Sequence, residues 1–188
     1  MNGHRVTAIG GGTGLANLLD GLRTHTENIT AIVSVADDGG SSGILRDEFG
    51  MLPPGDFRSC LVALSDSDPV IKDIFKYRFA TESSLAGHSL GNLLIAALST
   101  LSGSFEKAIE VSSELLNIKG RVIPSSLENI VLVAEMMDKD VVSGESNITS
   151  DGSVINRVFL DQSEAVAYPP AVDAIQQAEL IIVGPGSL

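Results

Sequence analysis

Two adjacent carboxylates, Asp37 and Asp38, are followed at once by Gly39, Gly40, Ser41 and Ser42, directly behind the apolar run Thr30-Ala31-Ile32-Val33-Ser34-Val35. Carboxylates placed this way suit several kinds of chemistry. They stand about 25 residues past a first glycine turn, near the place where an acidic side chain holds ribose hydroxyls in dinucleotide folds. They equally suit Mg²⁺, a hard cation that takes oxygen ligands and shares them with phosphates. A pair that caps the turn and the helix behind it is the plainer reading. Ser41 and Ser42 either contact a ligand or cap that helix.

Two further turns have the composition of phosphate cradles. Gly10-Gly11-Gly12-Thr13-Gly14 follows the strand-like Arg5-Val6-Thr7-Ala8-Ile9, and Gly184-Pro185-Gly186-Ser187 follows Leu180-Ile181-Ile182-Val183. Glycine lets the backbone approach a ligand closely and tolerates positive φ. Gly11, Gly12, Thr13, Gly14, Gly184, Gly186 and Ser187 are therefore candidate phosphate contacts, with a simple tight turn as the alternative. The first turn is no clean dinucleotide fingerprint, because its third glycine position holds Leu15.

Arg58 could fork onto a phosphate or pair with Asp56. His88 and Asn92, in Gly87-His88-Ser89-Leu90-Gly91-Asn92, put an imidazole and an amide between glycines. His88 is a candidate general acid or hydroxyl holder, or a hydrogen-bonded loop histidine. The catalytic candidates are thus Asp37, Asp38 and His88. Cys60, between apolar neighbours, reads as a small buried residue. Gly144-Glu145-Ser146 reads as a simple turn.

The elements that must position these groups follow from periodicity. Leu15, Leu18, Leu19 and Leu22 form the stripe of a core-facing helix. Pro53-Pro54-Gly55-Asp56 reads as a turn ending in an N-cap at Asp56. Asp68-Pro69 opens another helix, with Ile71, Ile74, Phe75 and Phe79 as its apolar face. Leu93 to Leu98 reads as a helix buried on all sides. Phe105, Ala108, Ile109, Leu115 and Leu116 mark one more. Strands are expected at 121–123, 130–136, 141–148 and 154–160, and a short helix near 171–177. Strands and helices in this alternation give an α/β fold, and 188 residues suit one domain spanning 1–188.

Composition narrows the partners. The net charge is −12, from 24 acidic and 12 basic residues, which argues against a nucleic-acid surface. Backbone amides at helix starts still bind anions without net positive charge, so a small phosphate-bearing ligand is expected. No apolar run is long enough to span a bilayer, and no signal-peptide core precedes the first strand. One cysteine excludes an internal disulfide and suits the cytoplasm. The sequence leaves a homo-oligomer open.

Six ordered motifs carry a resemblance. They are Ile9-Gly10-Gly11-Gly12-Thr13-Gly14-Leu15, Val35-Ala36-Asp37-Asp38-Gly39-Gly40-Ser41-Ser42-Gly43, Pro53-Pro54-Gly55-Asp56, His88-Ser89-Leu90-Gly91-Asn92-Leu93-Leu94, Gly144-Glu145-Ser146 and Gly184-Pro185-Gly186-Ser187-Leu188. Over nearly its whole length the chain resembles the bacterial gluconeogenesis factor family (YvcK-like proteins), related to 2-phospho-L-lactate transferase (CofD-like). The resemblance implies a Rossmann-like three-layer α/β/α sandwich with a mostly parallel sheet. It implies a cytoplasmic regulatory protein that binds UDP-sugars such as UDP-N-acetylglucosamine and supports growth and cell shape on gluconeogenic carbon. The alternative it offers is a Mg²⁺-dependent transferase with a nucleotide diphosphate donor. By the same resemblance the diphosphate lies against Gly11–Gly14 and Gly184–Ser187, Asp37 and Asp38 face ribose, sugar or metal, and Asn92 is near the nucleotide. Chains of that family continue past Gly-Pro-Gly-Ser-Leu, so the C-terminal part of the family domain is expected to be missing. A redox domain binding a nicotinamide or flavin cofactor is a third reading, disfavoured by the glycine spacing.

Overall fold

The structure, a computed structural model, describes residues 3–80, 82–162 and 164–185. Gly186 and Ser187 lie outside the described residues. Four strands form the main sheet: β1 (Val6–Gly10), β2 (Ile29–Val33), β3 (Arg121–Pro124) and β7 (Leu180–Val183). Their order is β3-β2-β1-β7 and every pairing is parallel. The register aligns Ile32 with Ile9 on one side and with Ile123 on the other.

Alternation along these strands divides two apolar faces. Ala8, Ala31, Val33 and Val122 join the large core, with Leu15 and Leu19 of α1 (Gly12–Leu22) and Phe57, Leu61 and Leu64 of α3 (Pro54–Leu64). Ile95 of α5 (Leu90–Ser102) and Phe105 of α6 (Phe105–Leu115) complete that layer. The Phe57 and Phe105 rings meet edge to face, with centroids 4.8 Å apart. On the opposite face Ile9, Ile32 and Ile123 pack with Tyr168, Ala171 and Ala174 at α8 (Pro169–Gln177). The result is a Rossmann-like sandwich with helices on both sides of a parallel sheet. β2 and β7 flank β1 on opposite sides, so the strand order reverses at β1. The loops leaving the carboxyl ends of β1 and β2 therefore sit where such sheets bind ligands.

Between these elements lie α2 (Gly40–Phe49) and α4 (Pro69–Lys76). A smaller antiparallel sheet, in the order β5-β4-β6, combines β4 (Leu132–Met136), β5 (Val141–Ser143) and β6 (Ile155–Leu160) with α7 (Glu145–Asp151). Its own core is Ala134, Met136 and Ile148.

Four local expectations change. The strand expected over 141–148 stops at Ser143, because Gly144 takes φ +94° and turns the chain into α7. The helix expected to start behind Asp56 starts at Pro54, with Pro53 at the N-cap and ring-fixed φ at the first helical position. Phe79 lies beyond the end of α4, and Ile74 is exposed. The 93–98 segment of α5 is not buried on all sides, since Ala97 is exposed and Leu93, Leu94 and Leu98 are only partly buried. No helix among the described residues is long and apolar enough to cross a membrane.

Candidate functional site

The loop after β2 is fixed by its own carboxylates. Asp37 Oδ1 accepts the Gly39 amide at 2.9 Å, and Asp38 Oδ1 accepts the Ser146 amide of α7 at 2.8 Å. Asp38 thus ties the loop to the small sheet's helix. From below, buried Arg46 of α2 donates to Asn129 Oδ1 at 2.5 Å, to the Ile130 carbonyl at 2.6 Å and to the Asp37 carbonyl at 3.4 Å. That side chain is a strut, not a ligand contact.

The first glycine turn receives a side chain from α3. Asp56 Oδ2 accepts the Gly12 amide at 2.6 Å, so a carboxylate caps the start of α1. Glycine at position 11 is required by this approach, because a Cβ there would lie 2.9 Å from Asp56 Oδ2. Burial pushes the Asp56 carboxyl above its ordinary range, and nearby Asp37 adds to it; the Gly12 bond and the charge of Arg58 oppose the rise. Gly14 faces Pro185 instead of open space. Gly184 donates its amide to the Ile9 carbonyl at 2.9 Å, which sets the last strand's turn beside the first.

A chain of polar contacts crosses from α3 to α2. Arg58 Nε donates to Asn92 Oδ1 at 2.9 Å, and Asn92 Nδ2 donates to Ser41 Oγ at 3.1 Å. Ser41 Oγ stands 2.9 Å from His88 Nδ1. Asn92 is held in turn by Ser89, whose Oγ accepts the Asn92 amide at 3.2 Å and caps α5. The pairing of Arg58 with Asp56 does not form; each turns to a different partner. Ser42 Oγ accepts the Gly55 amide at 3.1 Å, so it joins α2 to the start of α3.

These groups enclose a cavity of about 460 Å³. Of the expected site residues, Gly12, Thr13, Asp37, Gly39, Ser41, Ser42, Arg58 and Asn92 line it. Gly11, Gly14, Asp38, His88 and Gly184 do not line it; they stand behind or beside its wall. Arg78 lines it too, from beyond the end of α4, with its Nη1 bonded to the Gly87 carbonyl at 3.0 Å. Burial and the like charge of Arg78 lower the affinity of the Arg58 guanidinium for its proton, with Asp56 opposing. Larger hollows of about 510 and 570 Å³ open beside Arg5 and Arg121 and beside Phe49 and Leu52. The first of these lies beneath the amino ends of β1–β3, the wrong end of a parallel sheet for a ligand.

Residues 6–188 match the family model described as 2-phospho-L-lactate transferase CofD. The chain belongs to the CofD family. Its relatives include proteins named Gluconeogenesis factor. That of Listeria monocytogenes is 50% identical over 184 residues, which is 98% of this chain and 57% of that protein. That of Bacillus subtilis is 50% identical over 184 residues, covering 98% of this chain and 58% of its own length. A crystal structure of a Bacillus halodurans protein superimposes with a TM-score of 0.93 at 47% identity, covering 98% of this chain and 59% of that one. The CofD-family chain thus spans between 40% and 59% of the length of the curated relatives it matches.

Three charged residues of this CofD-family chain gather at the site without having been singled out for it by sequence. Asp56 read as a cap of its own helix, whereas it caps α1, 44 positions away. Glu145 read as part of a turn. Burial raises its carboxyl, and Asp37, Asp56 and Asp38 raise it further, so it faces the same acidic group from α7. Arg78 stands in none of the motifs, and only the fold brings it to Arg58. Cys60 is fully buried, and burial pushes its thiol up, which removes it from any nucleophilic role.

Proposed function

We propose that this CofD-family chain carries the diphosphate-binding part of a cytoplasmic regulatory protein of the gluconeogenesis factor type, with a UDP-sugar such as UDP-N-acetylglucosamine as ligand. The observation that carries the reading is the convergence of Arg58 and Arg78 on the 460 Å³ cavity at the carboxyl ends of β1 and β2. Two like charges brought together there are costly, and an anion between them relieves the cost. Each guanidinium can fork onto phosphate oxygens. Thr13, on the first turn of α1, adds the positive end of a helix dipole. Ser41 and Asn92 supply hydroxyl and amide groups, and Asp37 an acceptor for ribose or sugar hydroxyls. The physiological role that goes with this ligand is support of growth and cell shape on gluconeogenic carbon.

One feature favours a transferase of the CofD type as the second reading. Asp37 and Asp56 line the same cavity, and burial, with the charge of Asp37 added to it, raises the Asp56 carboxyl. Among the described residues no three His, Cys, Asp or Glu side chains are grouped to hold a metal alone. The two carboxylates nevertheless fit Mg²⁺ shared with ligand phosphates, the usual way that ion is held. Asp38 does not join them, since it is bonded to Ser146. When bound, Mg²⁺ would offset charge on the diphosphate; Arg58 and Arg78 would orient that group and offset the remainder.

Isothermal calorimetry with UDP-N-acetylglucosamine, in EDTA and in Mg²⁺, tests both. Binding that survives EDTA is expected for the regulatory reading. Binding only with Mg²⁺, accompanied by turnover, selects the transferase. Affinity for NADPH without affinity for any UDP-sugar contradicts both.

A further inference from the structure

A second hollow of about 380 Å³ adjoins the first, between α1, α3 and α4. Thr13, Arg58 and Ser59 belong to both. Its remaining charged lining is Asp20, Arg23, Lys72 and Lys76. Four of the chain's 12 Lys and Arg residues therefore meet at one hollow, with Arg78 on its neighbour, in a protein with 24 Asp and Glu. Composition does not produce that concentration.

The cations are not equally engaged. Arg23 is committed, with its Nε 3.3 Å from Asp20 Oδ1 and Nη1 donating to the Ser65 carbonyl at 2.5 Å. Lys72 and Lys76 stand one turn apart on the same face of α4. Among the described residues neither ammonium has a carboxylate within ion-pair distance. Lys76, in the last turn, complements the negative end of the α4 dipole. Lys72 is mid-helix and gains nothing from that. Arg58, half-buried between the hollows, is held by Asn92 and Ser59 but by no carboxylate.

We infer that this hollow is a second anion subsite, in which Lys72, Lys76 and Arg58 hold a phosphate group of a small molecule. The inference rests on the proposed diphosphate site only through Arg58, the residue common to both walls. The phosphate belongs either to the far end of the nucleotide ligand or to a separate phosphorylated compound. The hollow's size matches a small-molecule site.

Calorimetric titration of the full chain with inorganic phosphate, and separately with UDP-N-acetylglucosamine, tests the subsite. The variants are Lys72→Gln/Lys76→Gln and, as a control of equal charge change, Lys107→Gln/Lys119→Gln. Phosphate affinity is expected to fall at least tenfold in the first and to stay within twofold in the second, with melting temperatures unchanged. UDP-sugar affinity that stays constant in the first variant assigns the subsite to a separate compound; affinity that falls in parallel assigns it to the same ligand. No phosphate binding by the unaltered protein, or equal binding by both variants, overturns the inference. Phosphate binding that depends on Lys72 and Lys76, with no UDP-sugar bound at all, leaves the subsite standing and removes the nucleotide reading instead.

Discussion

Asp56 fills the seat that the glycine turn was expected to offer a phosphate. Its carboxylate takes the Gly12 amide in spite of burial and of Asp37, both of which disfavour the charge. The folded chain holds the Asp56 proton more tightly than the unfolded chain does, so this group's contribution to stability is whole below its unfolded value of 3.8 and declines as pH rises through the folded one. Asp56→Asn keeps an oxygen for the Gly12 amide and discards the charge. Its melting temperature at pH 7 should equal or exceed that of the unaltered protein, with the advantage shrinking toward about pH 4. A melt well below wild type at pH 7 would show that the charge itself holds the turn. Arg46 presents the opposite case, because its partners are left stranded when it goes. Arg46→Ala leaves Asn129 Oδ1 and the Ile130 carbonyl without their donor, at a cost on the order of 3 kcal/mol. Urea denaturation measures it, and a change below the cost of a surface substitution would remove the strut.

At the scale of elements, α5 meets the site through two small residues. Ser89 caps the helix and orients Asn92. Gly91 lets α3 and the end of α4 come close, since a Cβ would stand 2.5 Å from the Phe75 carbonyl and 2.8 Å from Arg58 Cδ. Ser89→Ala should cost about 1 kcal/mol of stability through the lost cap. Gly91→Ala should cost more, and should also displace Arg58. Paired denaturation and UDP-sugar titrations separate the effects: if Gly91→Ala binds as well as wild type, Arg58 does not contact the ligand. The elements themselves were largely legible. Leu15 and Leu19 announced α1 because a 3.6-residue period needs no tertiary context. The region after Gly144 was not legible, for Val141, Val142 and Ile148 read as one strand. Only the positive φ at Gly144 and the Ser146 bond to Asp38 divide them.

For the whole molecule, a chain of charge −12 binds an anion only by local arrangement. The parallel order β3-β2-β1-β7 supplies that arrangement by carrying the glycine turn and the Asp37 loop to one end of the sheet. Turn composition made this end visible in sequence, and Gly12, Thr13, Asp37, Ser41, Arg58 and Asn92 do meet at one cavity. Arg78 was invisible because it reaches the cavity from beyond α4, by packing that no local pattern encodes. Asp38 pointed elsewhere because α7, a distant element, claims its carboxylate. A crystal structure with UDP-N-acetylglucosamine soaked in tests this arrangement outright. The diphosphate should lie between Arg58 and Arg78, within hydrogen-bond reach of Thr13 or Ser41. A nucleotide found instead in the hollow beside Arg5 and Arg121, with the Arg58 cavity holding only solvent, would contradict it.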